Sequence, residues 1–233
     1  MIAENIKHLR ERITAKCAEF KRNSQEIKLI AVSKFFGLDA INEANRLGIT
    51  DFGENKAQEL RDKYEILGDK VTWHFIGTLQ RNKVKYAVKA AAYIHSIDSS
   101  MLADEVNSQA QKVNKVQKIL LEVKTSSEDS KSGLTTNEEV LNLVKHCSTL
   151  SNIKLIGLMT MAAFADDESV IRKSFSDLRK LKDEINKNGF DLRELSMGMT
   201  NDYEIAIEEG ATMLRIGSSI FGQRDITKDW RQS

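Results

Sequence analysis

The sequence predicts a single α/β domain, a (β/α)8 TIM-type barrel with one extra helix ahead of its first strand. Three observations predict it. Short apolar runs alternate with longer amphipathic segments along the whole chain. Eight of those runs have strand length, and strands separated by helices favour parallel pairing with right-handed crossovers. The length, 233 residues, suits one closed barrel, and no linker or composition shift marks a second domain within 1–233. An open, doubly wound sheet is the alternative arrangement of the same units.

Each element has its own warrant. Ile2, Ile6, Leu9, Ile13 and Phe20 recur at helical spacing with charges between them, so the N-terminus reads as an amphipathic helix. Glu4, Glu11 and Glu19 argue against an acid-poor transit peptide. Strand candidates are 28–33, 50–53, 71–76, 93–97, 117–123, 153–160, 192–196 and 212–217. Between them, Ala40, Ile41, Ala44 and Leu47 share a helical face that Gly48 stops. Residues 55–67 and 79–91 give two more helices, and 99–114 another, with Asp98 or Ser99 as cap. Thr135 to Glu138 reads as a capping box ahead of Val140, Leu141 and Val144. A long charged helix over 166–187 ends at Gly189, and a short one over 201–209 ends at Gly210. The most polar loop, Thr125–Gly133, follows strand five.

Composition excludes several function classes. Lys and Arg number 35 against 34 Asp and Glu, a balance that gives no electrostatic handle on nucleic acid or anionic membrane. No apolar run approaches the roughly 18 residues of a membrane span. Cys17 and Cys147 form neither a disulfide framework nor a zinc spacing, which fits a reducing, cytoplasmic setting. His74 and His95 alternate within strands without a second ligand at metal spacing, so they read as core or mouth residues. Walker, Rossmann and nucleophile-elbow motifs are absent.

In a barrel, functional residues sit at the C-terminal ends of the strands. Those ends read Lys34, Gly53-Glu54-Asn55, Gly77, Ser96, Lys124, Met159-Thr160, Ser196-Met197-Gly198 and Gly217-Ser218-Ser219. Taken singly, a lysine ending a strand is an ordinary surface residue and a Gly-Ser cluster an ordinary turn. Together they suggest a site. Small residues after strands seven and eight offer backbone N–H groups and hydroxyls to an anion. Closure would set them beside strand one and its lysine. An amine beside a phosphate cup suits pyridoxal 5′-phosphate, aldehyde to Lys34 and phosphate to the cup.

The same residues carry a resemblance. Ala31-Val32-Ser33-Lys34, Phe52-Gly53-Glu54-Asn55, Trp73-His74-Phe75-Ile76-Gly77 with Leu79-Gln80 and Asn82-Lys83, Gly157-Leu158-Met159, Leu195-Ser196-Met197-Gly198-Met199, Arg215-Ile216-Gly217 and Ile220-Phe221-Gly222 with Arg224 resemble the YggS/PROSC family of pyridoxal phosphate homeostasis proteins. The resemblance spans nearly the whole chain in order. It implies a barrel similar to the N-terminal domain of alanine racemase, with the cofactor held as a Schiff base on Lys34. It further implies phosphate contacts from Ser196, Gly217 and Ser218, and beyond these from Met197 and Ser219. Asn55 and Met159 would line the cofactor and Arg215 would approach its ring. The implied role is a carrier that buffers the cofactor and delivers it to apo-enzymes, as a monomer or weak dimer without robust catalysis.

A pyridoxal phosphate enzyme such as an amino-acid racemase is the alternative. Two-base racemisation needs a base opposite the lysine, supplied in alanine racemases by a partner subunit of a two-domain protein. The last strand candidate ends at 217 and the chain at 233, which leaves no room for that domain. An arginine near the ring nitrogen would also weaken the electron sink. A barrel that has lost the cofactor through redesign is a third reading.

Two loops depart from the family, which usually has proline after the lysine and often after Gly-Leu-Met. Here they read Phe35-Phe36-Gly37 and Thr160-Met161-Ala162-Ala163. The chain contains no proline at all, where average usage near 5% would give about 12. Chance omission on that scale is improbable, and deliberate removal is the expectation. Prolyl isomerisation can then contribute no slow folding phase. Refolding from denaturant should show no phase that a prolyl isomerase accelerates, which double-jump fluorescence with and without the isomerase checks.

Overall fold

The computed structural model describes residues 1–125, 132–163, 165, 167–223 and 230–232. Its strands are β1 (Lys28–Val32), β2 (Asp51–Glu54), β3 (Thr72–Phe75), β4 (Tyr93–Ile97), β5 (Gln117–Glu122), β6 (Ile153–Met159), β7 (Glu194–Ser196) and β8 (Met213–Ile216). Each pairs in parallel with the next, and β1 pairs with β8 from Lys28–Met213 to Ala31–Ile216, so the sheet is a closed barrel. Closure excludes the open-sheet alternative.

Helices cover the outside: α1 (Ile2–Glu19), α2 (Leu38–Arg46), α3 (Ala57–Leu67), α4 (Val84–Ala90), α5 (Ser100–Lys112), α6 (Asn137–Ser148), α7 (Glu168–Lys187), α8 (Tyr203–Glu208) and the short α9 (Ser218–Phe221). The extra N-terminal helix, α1, buries Ile6, Leu9, Ile13 and Cys17 and packs against α2, α8 and α9. None of the described helices is long and apolar enough to cross a membrane.

Element positions follow the sequence closely, with local corrections. The capping box of α6 lies one residue later than its spacing suggested. Thr136 accepts from the Glu139 amide at 3.2 Å, and the Glu139 carboxylate accepts from the Thr136 amide at 3.1 Å. Ser99 is the N-cap of α5 but makes no side-chain cap bond. A 3₁₀ turn at Arg81–Lys83 replaces the start of the helix read at 79–91. Gly48, Gly189 and Gly210 end α2, α7 and α8 with φ of +83°, +91° and +93°. Arg224, Asp166 and most of the polar loop after strand five lie outside the described residues.

Strand alternation sorts the residues into two cores. Outward-facing Ala31, Phe52, Trp73, Phe75, Ile94, Ile119, Leu158, Leu195, Leu214 and Ile216 join the helices in the main hydrophobic core. Inside the ring a smaller apolar cluster holds Ile30, Leu120, Met159 and Met213, with Tyr93, Ile156 and Met161 packed against it. The rest of the interior is polar: Asp51, His74, His95, Ser196 and Arg215 are all buried.

The β5–β6 register shifts between Ile119 and Leu120, which admits Ile156 as an extra residue on β6. Gly157 follows that shift, and a Cβ there would fall 2.0 Å from the Glu194 carbonyl oxygen on β7. Backbone cannot retreat cheaply within a closed ring. Gly157→Ala should therefore destabilise the protein by about 1–3 kcal/mol, as overpacking does, measured by urea unfolding against the parent.

Candidate functional site

Alternation along β1 carries Val32 and then Lys34 to the inner side of the ring, while Ser33 faces outward to α3. At the C-terminal ends of the strands a cavity of ≈ 360 Å³ opens, within the range of small-molecule sites, about 300–1,000 Å³. Lys34, Asn55, Arg215, Gly217 and Ser218 line it. The remaining predicted residues lie elsewhere. Met159 is buried in the apolar cluster inside the ring. Ser196 is fully buried beneath the mouth. Met197 sits in the outer core. Ser219 faces a neighbouring surface hollow shared with Asn5 and Tyr203. A larger hollow among the described residues lies at the opposite, N-terminal end of the strands around Arg10, Lys28 and Asp51. The mouth cavity is the one that gathers the strand-end residues.

The turns after β7 and β8 meet at its rim. The Ser218 hydroxyl lies 3.2 Å from that of Thr200. Gly198 makes the approach possible. Its φ is +93°, and a Cβ would lie 2.6 Å from the Ala206 side chain and 2.9 Å from that of Leu214. The Gly198 carbonyl accepts from the Arg215 amide at 2.9 Å, tying the two turns together. After β8, Ile220 and Phe221 donate to the Gly217 carbonyl, so the amides of Ser218 and Ser219 lie ahead of the helical ladder. On the facing wall, the Asn55 Oδ1 atom is buried without a hydrogen-bond partner among the described residues. An open acceptor there is a place for a polar ligand group.

Arg215 is fixed by a chain of hydrogen bonds that crosses the barrel. Its Nη1 donates to Ser196 Oγ at 2.7 Å and its Nη2 to the Thr160 carbonyl at 2.8 Å. Ser196 Oγ lies 2.9 Å from His95 Nδ1, His95 Nε2 lies 2.9 Å from His74 Nδ1, and His74 Nε2 lies 2.8 Å from Asp51 Oδ1. The protons follow from the ends. Burial pushes the Asp51 carboxyl up, but hydrogen bonds from His74 and Thr50 and the nearby Lys28 ammonium outweigh it and hold it below the ordinary value. Asp51 is therefore an anion that only accepts, so His74 carries its proton on Nε2. His74 Nδ1 then accepts from His95 Nε2–H, and His95 Nδ1 accepts from the Ser196 hydroxyl. Burial keeps both imidazoles neutral: it lowers His74 against the pull of Asp51, and lowers His95 well below the ordinary value, helped by His74 and Arg215. Burial also brings the Arg215 guanidinium down to about 10, opposed by Asp202 and Glu122, which leaves it cationic at neutral pH. Burial raises Glu122 to about 6, with Asp98 adding to the rise and Arg215 opposing it.

This chain was missed in the sequence, apart from Arg215 and Ser196 as residues. The inward alternation of His74 and His95 was the available signal.

Against known proteins, the alanine racemase N-terminal domain family matches residues 2–225. The chain is 41% identical over 223 residues to the pyridoxal phosphate homeostasis protein of Aquifex aeolicus, covering 95% of this chain and 97% of that one. It is 36% identical over 232 residues to the protein of the same name from Pasteurella multocida, covering 97% and 99%. PipY of Synechococcus elongatus, solved with pyridoxal phosphate bound, superposes with a TM-score of 0.84 at 32% identity, covering 95% of this chain and all of that one. Alanine racemase from Clostridium difficile shares the fold at 14% identity, with a TM-score of 0.75. The class is thus that of alanine-racemase-type barrels. Within it, the chain belongs to the pyridoxal phosphate homeostasis protein family.

Neutral buried imidazoles have a cost at low pH. As pH falls below the ordinary histidine value of about 6.5, the unfolded chain takes up protons that His74 and His95 refuse when folded, so stability is lost. The raised carboxyls, Glu122 at about 6 and Glu54 at about 7, act in the opposite sense, and their contribution is lost as pH rises above the ordinary glutamate value. Comparison with a variant separates the two. The parent should lose more stability than His95→Gln between pH 7 and pH 5, read by urea unfolding at both.

Proposed function

We propose that this protein binds pyridoxal 5′-phosphate in the mouth cavity and serves as a carrier for it. The single observation that carries the reading is one cavity lined by Lys34 on one side and by the β7 and β8 turns on the other. The site's chemistry fits the group: an amine, a buried cation, an unpartnered amide oxygen, and hydroxyls and amides suited to phosphate. When bound, the cofactor would supply an aldehyde, a carbon electrophile for which a lysine amine is the matching nucleophile. Lys34, which lines the cavity, would supply that amine. Ser218 and Thr200, with the amides after Gly217, would take the phosphate. Asn55 would meet a polar group of the ring, and Arg215 would present a fixed positive charge. Ser196 acts on Arg215, since its hydroxyl is committed to Arg215 and His95.

The lining also favours a carrier over a racemase. Its ionisable side chains among the described residues are Lys34, Asp202 and Arg215. Asp202 is buried and accepts from the Met199 amide. A second proton-transfer group facing Lys34, such as a histidine, tyrosine or cysteine, is not among them. A persistently cationic Arg215 near the ring would also disfavour protonation of the ring nitrogen and blunt the electron sink. Apo-enzymes that use the cofactor are the recipients this reading implies, in a cytoplasmic setting that the buried free thiols of Cys17 and Cys147 suit.

Purified protein mixed with pyridoxal 5′-phosphate should develop a visible absorbance band, and borohydride should fix the cofactor to Lys34. Lys34→Ala should abolish the band. A parent that stays colourless would sink the reading. Incubation with L-alanine should give no D-alanine at enzymatic rates, and turnover on the order of 1 s⁻¹ or faster would overturn the carrier assignment.

A further inference from the structure

Behind Lys34, on the outer side of the barrel wall, lies a buried ionic cluster that the cofactor reading does not use. Lys63 of α3 is fully buried. Its Nζ donates to Glu54 at 2.7 Å, to Glu59 at 2.8 Å and to the Ser33 carbonyl at 2.9 Å. The Ser33 hydroxyl donates to Glu54 at 2.6 Å, and the Phe35 amide donates to Glu59 at 2.9 Å. Lys63 Nζ also lies 5.2 Å from the centroid of the Trp230 ring. The residues immediately before and after Lys34 are therefore both gripped, by three hydrogen bonds from side chains that do not line the cavity.

Phe35 is the second observation. Its φ is +70°, left-handed backbone that a residue with a Cβ adopts at a cost of about 1–2 kcal/mol. The bond from its amide to Glu59 helps hold that conformation. A left-handed residue at this point turns the chain sharply just past the lysine. Stability gives little reason for the cluster, since apolar replacements of buried ion pairs are often as stable or more so. Two carboxylates also share one ammonium, and burial, against the pull of Lys63, raises Glu54 to about 7.

We propose that Glu54, Glu59 and Lys63 are positioning residues for Lys34, gripping Ser33 and Phe35 so that the amine enters the mouth from one fixed direction. The proposal rests on Lys34 being the cofactor lysine. None of the three lines the cavity, and their contacts to Ser33 and Phe35 are the route by which they would act on the amine.

The test begins with the parent. Borohydride reduction with pyridoxal 5′-phosphate, then peptide mapping, establishes whether Lys34 is modified, and failure there defeats the Lys34 reading itself. Glu59→Leu, Glu59→Gln and Ser33→Ala are then titrated with pyridoxal 5′-phosphate and with pyridoxine 5′-phosphate, which keeps ring and phosphate but lacks the aldehyde. Misplacement of the amine should raise the apparent Kd of Glu59→Leu for pyridoxal 5′-phosphate about tenfold or more. Its affinity for pyridoxine 5′-phosphate should stay parental. Glu59→Gln keeps an oxygen for the Phe35 amide and should recover most of the loss. Ser33→Ala should lose affinity in the same direction by a smaller factor. Parental affinity for pyridoxal 5′-phosphate in a folded Glu59→Leu overturns the proposal, as does an equal loss for both ligands, which marks general damage. If Glu59→Leu does not fold, Ser33→Ala decides, and parental behaviour there overturns it.

Discussion

Strand β1 runs beside β8 from Lys28–Met213 to Ala31–Ile216, and that ladder turns a sheet into a ring. The candidate site depends on it. Lys34 and Gly217 are separated by most of the chain, yet each lies just beyond the end of its strand, and the strands are neighbours. Parallel pairing puts both at the same rim. In an open sheet β1 and β8 would not be joined, and Lys34 and the turns after β7 and β8 would belong to different surfaces. Closure also removes the unpaired edges that an open sheet must protect.

Within the ring the protein holds a polar cord where barrels of this class are usually filled by branched apolar side chains. Buried polar groups are tolerated only when they are paired. Here each donor meets an acceptor from Arg215 to Asp51, across five strands' worth of side chains. Arg215 is thereby held as a buried cation beside the cavity. The cluster of Glu54, Glu59 and Lys63 is a second polar assembly on the opposite side of the same wall. One acts on the charge that faces the cavity, the other on the backbone around the lysine.

Much of this was legible in the sequence, for definite reasons. Strand alternation and the glycines after α2, α7 and α8 are local signals, and they located the elements to within a few residues. Lys34, Asn55, Gly217 and Ser218 were legible because strand ends define the rim of a parallel barrel. The polar cord was not, because it needs the relative register of β2, β3, β4, β7 and β8, which no single segment encodes. The burial of Met197 follows similarly: one residue beyond Ser196, it takes the outward side and joins the helix-facing core. Ser219 is carried off the cavity by α9, a turn too short to leave a periodic pattern. The one-residue displacement of the α6 capping box reflects competition between Thr135 and Thr136, both of which donate to Glu139.

The cord has one further consequence. Its protons all point one way, from the guanidinium toward the carboxylate. A proton added to His74 would set two N–H groups against each other unless His95 shifted its own, and that shift would turn Nδ1 into a donor facing Ser196. The serine hydroxyl, still accepting from Arg215, would then have to find another acceptor in a buried site. No link can reverse alone. The two imidazoles, on different strands, therefore behave as one cooperative object, and a titration that follows either ring should report the state of both.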